Sequence, residues 1–175
     1  MIKSSILSML LLNALLVSAQ YDYLKLDNSQ VKFEKVYTLD SLSTEEMENT
    51  LLSNIPNFQK FSMSSKLDGK IIGKIEGSRV DVTKYGGKKM KESAFLGYPF
   101  YGDVLIEWKE GRYKVSVYNI YWMTSGFGRM DGDMLFTNRQ KTELSTKPIA
   151  IRAGGFLEKH LEDLFTINIS TNDDW

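Results

Sequence analysis

One register satisfies both faces of a long hairpin, and this constrains the fold more than any other feature of the chain. Residues 98–109 and 112–122 alternate apolar and polar positions around Glu110-Gly111. A two-residue loop in which glycine supplies a positive φ suits such a turn. The register pairs Trp108 with Tyr113, Ile106 with Val115 and Val104 with Val117 on one face, and sets Glu107 opposite Lys114 on the other. Apolar pairs on one side and an opposite-charge pair on the other are the cross-strand contacts that stabilise a sheet. A slip of one residue would reverse every side chain, so the pattern itself pins the pairing.

The remaining chain reads as further strands and two helices. Residues 31–37 start with apolar Val31 and Phe33, then the parity slips towards Val36, which suggests a strand with a bulge. Ser43-Thr44-Glu45-Glu46 has the form of a capping box, the Ser43 hydroxyl accepting from the Glu46 amide while Glu46 reaches back. Leu42 and Met47 occupy staple positions. Met47, Leu51 and Ile55 form an apolar stripe and Pro56 stops the chain, so a helix is expected over 44–55. Residues 58–65 and 70–77 flank Asp68-Gly69, a hairpin signal. A three-residue loop, pairing Met63 with Ile75 and Leu67 with Ile71, is preferred there because it gathers apolar residues on one face. Residues 79–83 read as a further extended piece and 84–91 as a basic loop. A second helix is expected over 156–165, after Gly154-Gly155, with Leu157, Leu161, Leu164 and Phe165 on its apolar side. Residues 123–148 lack a clean period. A structureless stretch of that length is unusual, so an element is missing there beyond a candidate strand at Met134-Leu135-Phe136.

The chain opens with Met1-Ile2-Lys3, an apolar run from Ile6 to Val17 broken by Ser8 and Asn13, and Val17-Ser18-Ala19. A positive start, an apolar centre and small residues at the peptidase site make a secretory signal peptide, cleaved after Ala19. The expected organisation is a signal peptide over 1–19, a polar leader over 20–30, a single α+β domain over 31–170 and a frayed polar tail over 171–175. The expected location is periplasmic or secreted, with no transmembrane span in the mature chain. Lys+Arg and Asp+Glu number 22 each, so loss of Lys3 leaves a net charge of −1. Near-neutrality argues against nucleic acid as a partner, since that binding draws on a surplus of Lys and Arg. With no Cys, disulfides, thiolate metal sites, cysteine nucleophiles and a lipoprotein anchor are excluded. A Cys-free exported domain fits a bacterial envelope. His160 is the one histidine, which leaves no usual zinc ligand set; neither a metal nor a cofactor is expected.

Strand, capped helix and antiparallel strands ending in Ile106-Glu107-Trp108-Lys109-Glu110-Gly111-Arg112-Tyr113-Lys114-Val115 form a recognisable order, with 31–37, 43–55 and 69–77 as its other pieces. Over residues 31–122 the chain resembles a family of exported domains of unknown function, widespread in Bacteroidetes and described as TBP-like. The resemblance implies a curved antiparallel β-sheet with two α-helices packed mainly on one face. It implies no activity and no DNA binding, because function belongs to a site and not to a fold.

Candidate chemistry is sparse. Gly126-Phe127-Gly128-Arg129-Met130-Asp131-Gly132 spaces its glycines as G-x-G-x-x-x-G, unlike the dinucleotide fingerprint, so a turn is the expected use. Asp131-Gly132-Asp133 matches part of a calcium loop, but Thr142 stands where the twelfth-position Glu belongs. His160 borders the stripe of Phe156 and Leu164 and is expected at a helix–sheet edge, since no nucleophile motif accompanies it. Asp103 and Glu107 share a strand face about 13 Å apart at ~3.3 Å per residue, beyond the ~5–9.5 Å of a glycosidase pair. Lys88-Lys89-Met90-Lys91 reads as a solvated loop.

The outer face of the long hairpin carries Glu107, Lys109, Arg112 and Lys114 near the turn, as a face left to water should. Farther away, alternation places Tyr101, Tyr118, Ile120 and Trp122 there beside Leu105, with Tyr101 opposite Ile120. Three uses fit: cover by residues 123–150, contact with a second copy or a partner protein, or a small ligand. Aromatics with hydrogen-bonding tips suit sugar or peptide surfaces. The sequence favours a non-enzymatic binding or protein-interaction module with this aromatic face as its site. The alternative is a hydrolase using carboxylates gathered from distant segments, such as Asp131 or Asp133 with Glu143.

Overall fold

Pairing across Glu110-Gly111 organises the sheet. The computed structural model describes residues 21–168; the readings of a signal peptide over 1–19 and a tail over 171–175 lie outside them. The elements are β1 (Leu24–Asp27), β2 (Gln30–Thr38), α1 (Thr44–Asn54), β3 (Phe61–Leu67), β4 (Lys70–Ser78), β5 (Phe100–Lys109), β6 (Arg112–Thr124), β7 (Gly128–Asp131), α2 (Gly132–Phe136) and α3 (Pro148–Phe165). They form a curved antiparallel sheet in the order β1-β2-β6-β5-β4-β3. β7 pairs with β6 at Tyr121–Thr124, beyond the stretch that β2 occupies. β5 and β6 adopt the expected register at the turn, from Lys109 opposite Arg112 to Val104 opposite Val117, and Gly111 takes a φ of 69°. Val31, Phe33, Ile71, Ile75, Val104, Ile106, Val115 and Val117 line the inner face and are buried. Among the described residues, helices cover that face alone, an α+β arrangement.

α1 starts where the capping box places it. The Ser43 side chain accepts from Glu46 N, and Glu46 accepts from Ser43 N at 2.9 Å. Met47 and Leu51 are fully buried beneath it.

Three local expectations are corrected. β2 contains no bulge: it pairs with β6 without a break from Phe33 to Thr38. The apparent slip arises because Lys35 takes a core-side position. Its ammonium bonds the Tyr23 hydroxyl at 2.9 Å and pairs with Glu162, so Val36 faces out, half exposed. The β3–β4 loop has two residues, with Leu67 opposite Lys70 and Gly69 at a φ of 65°, followed by an irregularity between Met63 and Ser65. Six of the seven β3 residues are exposed, so gathering apolar side chains was no constraint on this edge strand. Residues 79–83 are not a strand but an irregular stretch that leads into turns at 82–86, with Val80 and Val82 buried.

The N-terminal stretch and the segment after β6 also differ from expectation. Residues 24–27 are not a leader but an edge strand. Buried Glu158 of α3 accepts from Tyr23 N at 2.7 Å and Leu24 N at 2.6 Å, and Leu24 enters the core. Met134-Leu135-Phe136 is helical, with Phe136 buried against Trp122. The described residues thus hold three helices where two were expected. α3 is 18 residues long and begins at Pro148. Pro is suited to the first helical turn because its missing N–H has no partner there in any case. Gly154-Gly155 lies inside this helix instead of ahead of it. Gly154 is the closest-packed point: a Cβ there would run into the ring of Tyr21.

The two glycines therefore differ in consequence. Gly155→Ala meets nothing within 4 Å and should stabilise the fold by about 1 kcal/mol through helix propensity. Gly154→Ala gains the same propensity but overpacks against Tyr21 and should lose about 1–3 kcal/mol. Urea midpoints of the two variants should move in opposite directions; movement in the same direction would refute the packing account.

Candidate functional site

The aromatic end of the hairpin is divided by a change of register. Near the turn, Asp103 pairs with Tyr118, but Tyr101 pairs with Tyr121 and Phe100 with Trp122. β6 accommodates one residue more than β5, at Asn119, whose φ is 51°. Asparagine tolerates this left-handed region better than most residues, and its Nδ2 donates to Asp103 Oδ2 at 2.6 Å. Gly102 stands opposite; a Cβ there would sit 2.9 Å from Val117 Cγ1. One extra residue inverts the facing of everything that follows.

The four residues expected together are therefore split. Ile120 and Trp122 face the core, 3% and 0% exposed, with Trp122 packed on Phe95, Phe100 and Phe136. Tyr101 and Tyr118 stay on the outer face, and Tyr121 joins them. Its ring stacks on Tyr101 at 5.1 Å, and the Arg129 guanidinium covers it with Cζ 3.9 Å from the centroid. Asp131 holds Arg129 through a 2.7 Å bond to Nε. Gly102 and Asn119 within strand sequences were the available signal, since both favour bulges.

Tyr118 belongs to a hollow of about 330 Å³ on the outer face, floored by Leu105, Ser116 and Tyr118 and rimmed by β2 and the β1–β2 turn. The rim charges are paired with one another. Lys32 bonds Asp27 at 3.0 Å and lies 3.3 Å from Glu34, which also accepts from Lys25 at 2.8 Å. Lys114 and Lys70 flank Glu107 at 2.7 and 3.3 Å. Both carboxyls are held below their ordinary range, Glu34 chiefly by Lys25 and Glu107 chiefly by Lys114.

The carboxylates of the hydrolase reading are largely engaged elsewhere. Asp131 and Asp133 line a smaller hollow of about 140 Å³ with Gln30, Asn119 and Arg129. Asp131 is paired to Arg129, and Asp133 accepts from Val31 N at 2.8 Å with Lys141 at 3.6 Å. Glu143 does not line this hollow. The glycine-rich segment is the β6–β7 connection, where Thr124 Oγ1 accepts from Phe127 N and donates to Gly128 O. Among the described residues, no cluster of three or more acidic or histidine side chains is arranged to hold a metal ion, and no helix is long and apolar enough to cross a membrane.

His160 sits at the helix–sheet edge, as expected. Its Nε2 is 2.9 Å from Ser78 Oγ, and its ring meets Phe100 edge-on. Asp163 lies one turn on but is bonded to Tyr85 and Lys84. Burial, helped by Lys84, lowers the His160 pKa from 6.5 to about 4. An imidazole that resists protonation to this degree is a weak proton acceptor for a serine hydroxyl, so the pair joins β4 to α3.

No family model matches the chain, and no curated protein does. Two solved structures share its fold. The crystal structure of a DUF4468 family protein from Bacteroides ovatus is 15% identical with a TM-score of 0.53, covering 85% of this chain and 87% of that one. The crystal structure of a TBP-like protein from Parabacteroides distasonis is 12% identical with a TM-score of 0.52, covering 81% and 94%. The TBP-like α+β fold implied by the resemblance is thus the fold observed, and both similar proteins come from Bacteroidetes.

The buried imidazole has a thermodynamic consequence. Its folded pKa lies below its unfolded value, so its contribution is fully present above pH 6.5 and is lost as pH falls towards 4. At 1.36 kcal/mol per pKa unit the loss is about 3 kcal/mol. His160→Gln should flatten unfolding free energy against pH across that window relative to the parent protein. Parallel profiles would show that another group is responsible.

Proposed function

We propose that this chain is an exported binding module of a bacterial envelope whose site lies on the outer face of the sheet. The observation that carries the reading is an asymmetry of cover. The three helices of the described residues crowd the inner face, while Tyr101, Tyr118 and Tyr121 stand on the other, beside an open hollow of about 330 Å³. Aromatic and Arg side chains are favoured where surfaces recognise partners, and volumes of ~300 Å³ and above are those of ligand sites. Ile120 and Trp122 act from beneath, fixing the strand that presents the tyrosines. Export rests on the leader sequence ending at Ala19.

Two measurements test this. Native mass spectrometry of the protein taken gently from its host envelope should retain a companion, a ligand or a second copy. Tyr118→Ala and Tyr101→Ala should weaken that association about tenfold or more in proteins with unchanged circular dichroism. An association untouched by both substitutions would remove the site. For export, N-terminal sequencing of the protein from the cell envelope should begin at Gln20. A cell fraction holding only the uncleaved chain would refute it.

A further inference from the structure

The outer hollow combines two properties that specify its ligand more narrowly than aromatic exposure does. Its charged side chains are already paired: Lys25, Lys32, Asp27 and Glu34 form one balanced group, and Lys70 and Lys114 share Glu107 in another that keeps a single positive excess. Its neutral polar groups are not. The Tyr118 hydroxyl, Ser116 Oγ and the Gln30 and Asn28 amides, all lining the hollow, have no hydrogen-bond partner among the described residues. The floor is apolar and aromatic, with Leu105 beside Tyr118. An anionic or cationic ligand would have to compete with the lysine–carboxylate pairs. A neutral ligand rich in hydroxyls would not, because a paired ammonium or carboxylate can still donate to or accept from a hydroxyl. Its C–H faces could lie on tyrosine while hydroxyls meet the free amides and hydroxyls. The hollow also continues in both directions. It shares Gln30 with the 140 Å³ hollow beside Arg129, and Glu107 and Lys114 with one of about 320 Å³ at the hairpin turn.

We infer that this face binds a neutral, linear oligosaccharide lying along β6, with Tyr118 as the stacking platform and Gln30, Asn28 and Ser116 as hydroxyl partners. The inference rests on the proposed binding role of the outer face and adds the class of ligand.

Residues 20–175, labelled with ¹⁵N, would be titrated with cellohexaose, maltohexaose, xylohexaose and chitohexaose, and with hexagalacturonate as the charged counterpart. At least one neutral hexasaccharide should shift amide signals of β2 and β6 in a saturable way. Its affinity should change less than about twofold between ~50 and ~500 mM NaCl, because no charge pair is formed to be screened. Tyr118→Ala should weaken it about tenfold or more. Gln30→Ala, a change on an exposed side chain with no packing role, should weaken it severalfold and guards against a folding defect in the first variant. The inference is overturned if no neutral sugar shifts these signals at about 5 mM, the weak limit of useful affinity, if hexagalacturonate alone binds, or if neither substitution matters. If the sugars fail while Tyr118→Ala still abolishes a protein association in native mass spectrometry, the carbohydrate assignment falls and the binding face stands.

Discussion

Asn119 and Gly102 meet where the central hairpin takes one residue more on β6 than on β5, and the rest of the structure is arranged around that offset. A left-handed backbone at a residue with a side chain is unfavourable, and two local features offset it: an asparagine that bonds Asp103, and a glycine that leaves room opposite. The result is a change of phase within one strand. Before Asn119 the inward residues are Tyr113, Val115 and Val117; after it they are Ile120, Trp122 and Thr124. Trp122 thereby becomes the centre of an aromatic cluster with Phe95, Phe100 and Phe136, and burying such a side chain contributes on the order of 2–3 kcal/mol. The indole N–H of Trp122 has no partner among the described residues, a cost of about 1–3 kcal/mol that the apolar burial must exceed. Tyr121 turns outward by the same step and gives the outer face its stacked pair.

A second set of contacts fastens the start of the described chain to its end. Tyr21 lies on Gly154 and donates to Ser145 O, Glu158 receives the amides of Tyr23 and Leu24, and Lys35 meets Glu162. Glu158 is buried, which raises its pKa, while the amide bonds oppose that rise by stabilising the anion. All these contacts lie on α3 or its approach. The long helix therefore acts as a strut along the β1–β2 side, and its glycine is a packing requirement, not a break. The same contacts place the β1–β2 turn where Asn28 and Gln30 rim the outer hollow.

Where local rules and tertiary packing agreed, the sequence was readable. The β5–β6 register near the turn and the capped helix at Ser43 are determined by neighbours within a few residues, and both form as their patterns require. Misreadings occurred where a distant partner overrode the local signal. Gly154-Gly155 reads as a boundary ahead of the helix until Tyr21, more than a hundred positions away, is seen to need the space. Lys35 breaks an apolar alternation because Glu162 and Tyr23 await it inside. The four expected residues part for a related reason: Tyr118 precedes Asn119 and Tyr101 lies on β5, which has no inserted residue, so both keep the outward facing, whereas Ile120 and Trp122 follow Asn119 and turn inward. Strict alternation cannot register an inserted residue, although Asn119 and Gly102 marked the place.

The outer hollow is open to water and yet its lysines and carboxylates are paired with one another, and this combination bears on what the proposed site could recognise. Four lysines and three carboxylates form two linked groups, one balanced and one with a single positive excess, so most of the charge is cancelled within a few ångströms, inside the ~8–10 Å over which salt screens exposed charges. Long-range steering is therefore weak, and such pairs on a surface contribute little stability of their own. Their effect is to keep a tyrosine-bearing face soluble without committing it to a charged partner. For the proposed ligand, specificity would come from short-range terms: the shape of the hollow, stacking on Tyr118, and the geometry of the neutral donors and acceptors around it. Asn119 bears on those terms too, because the residue that turns Trp122 into the core also bonds Asp103 and so ties together the two strands that carry Tyr101, Tyr118 and Tyr121.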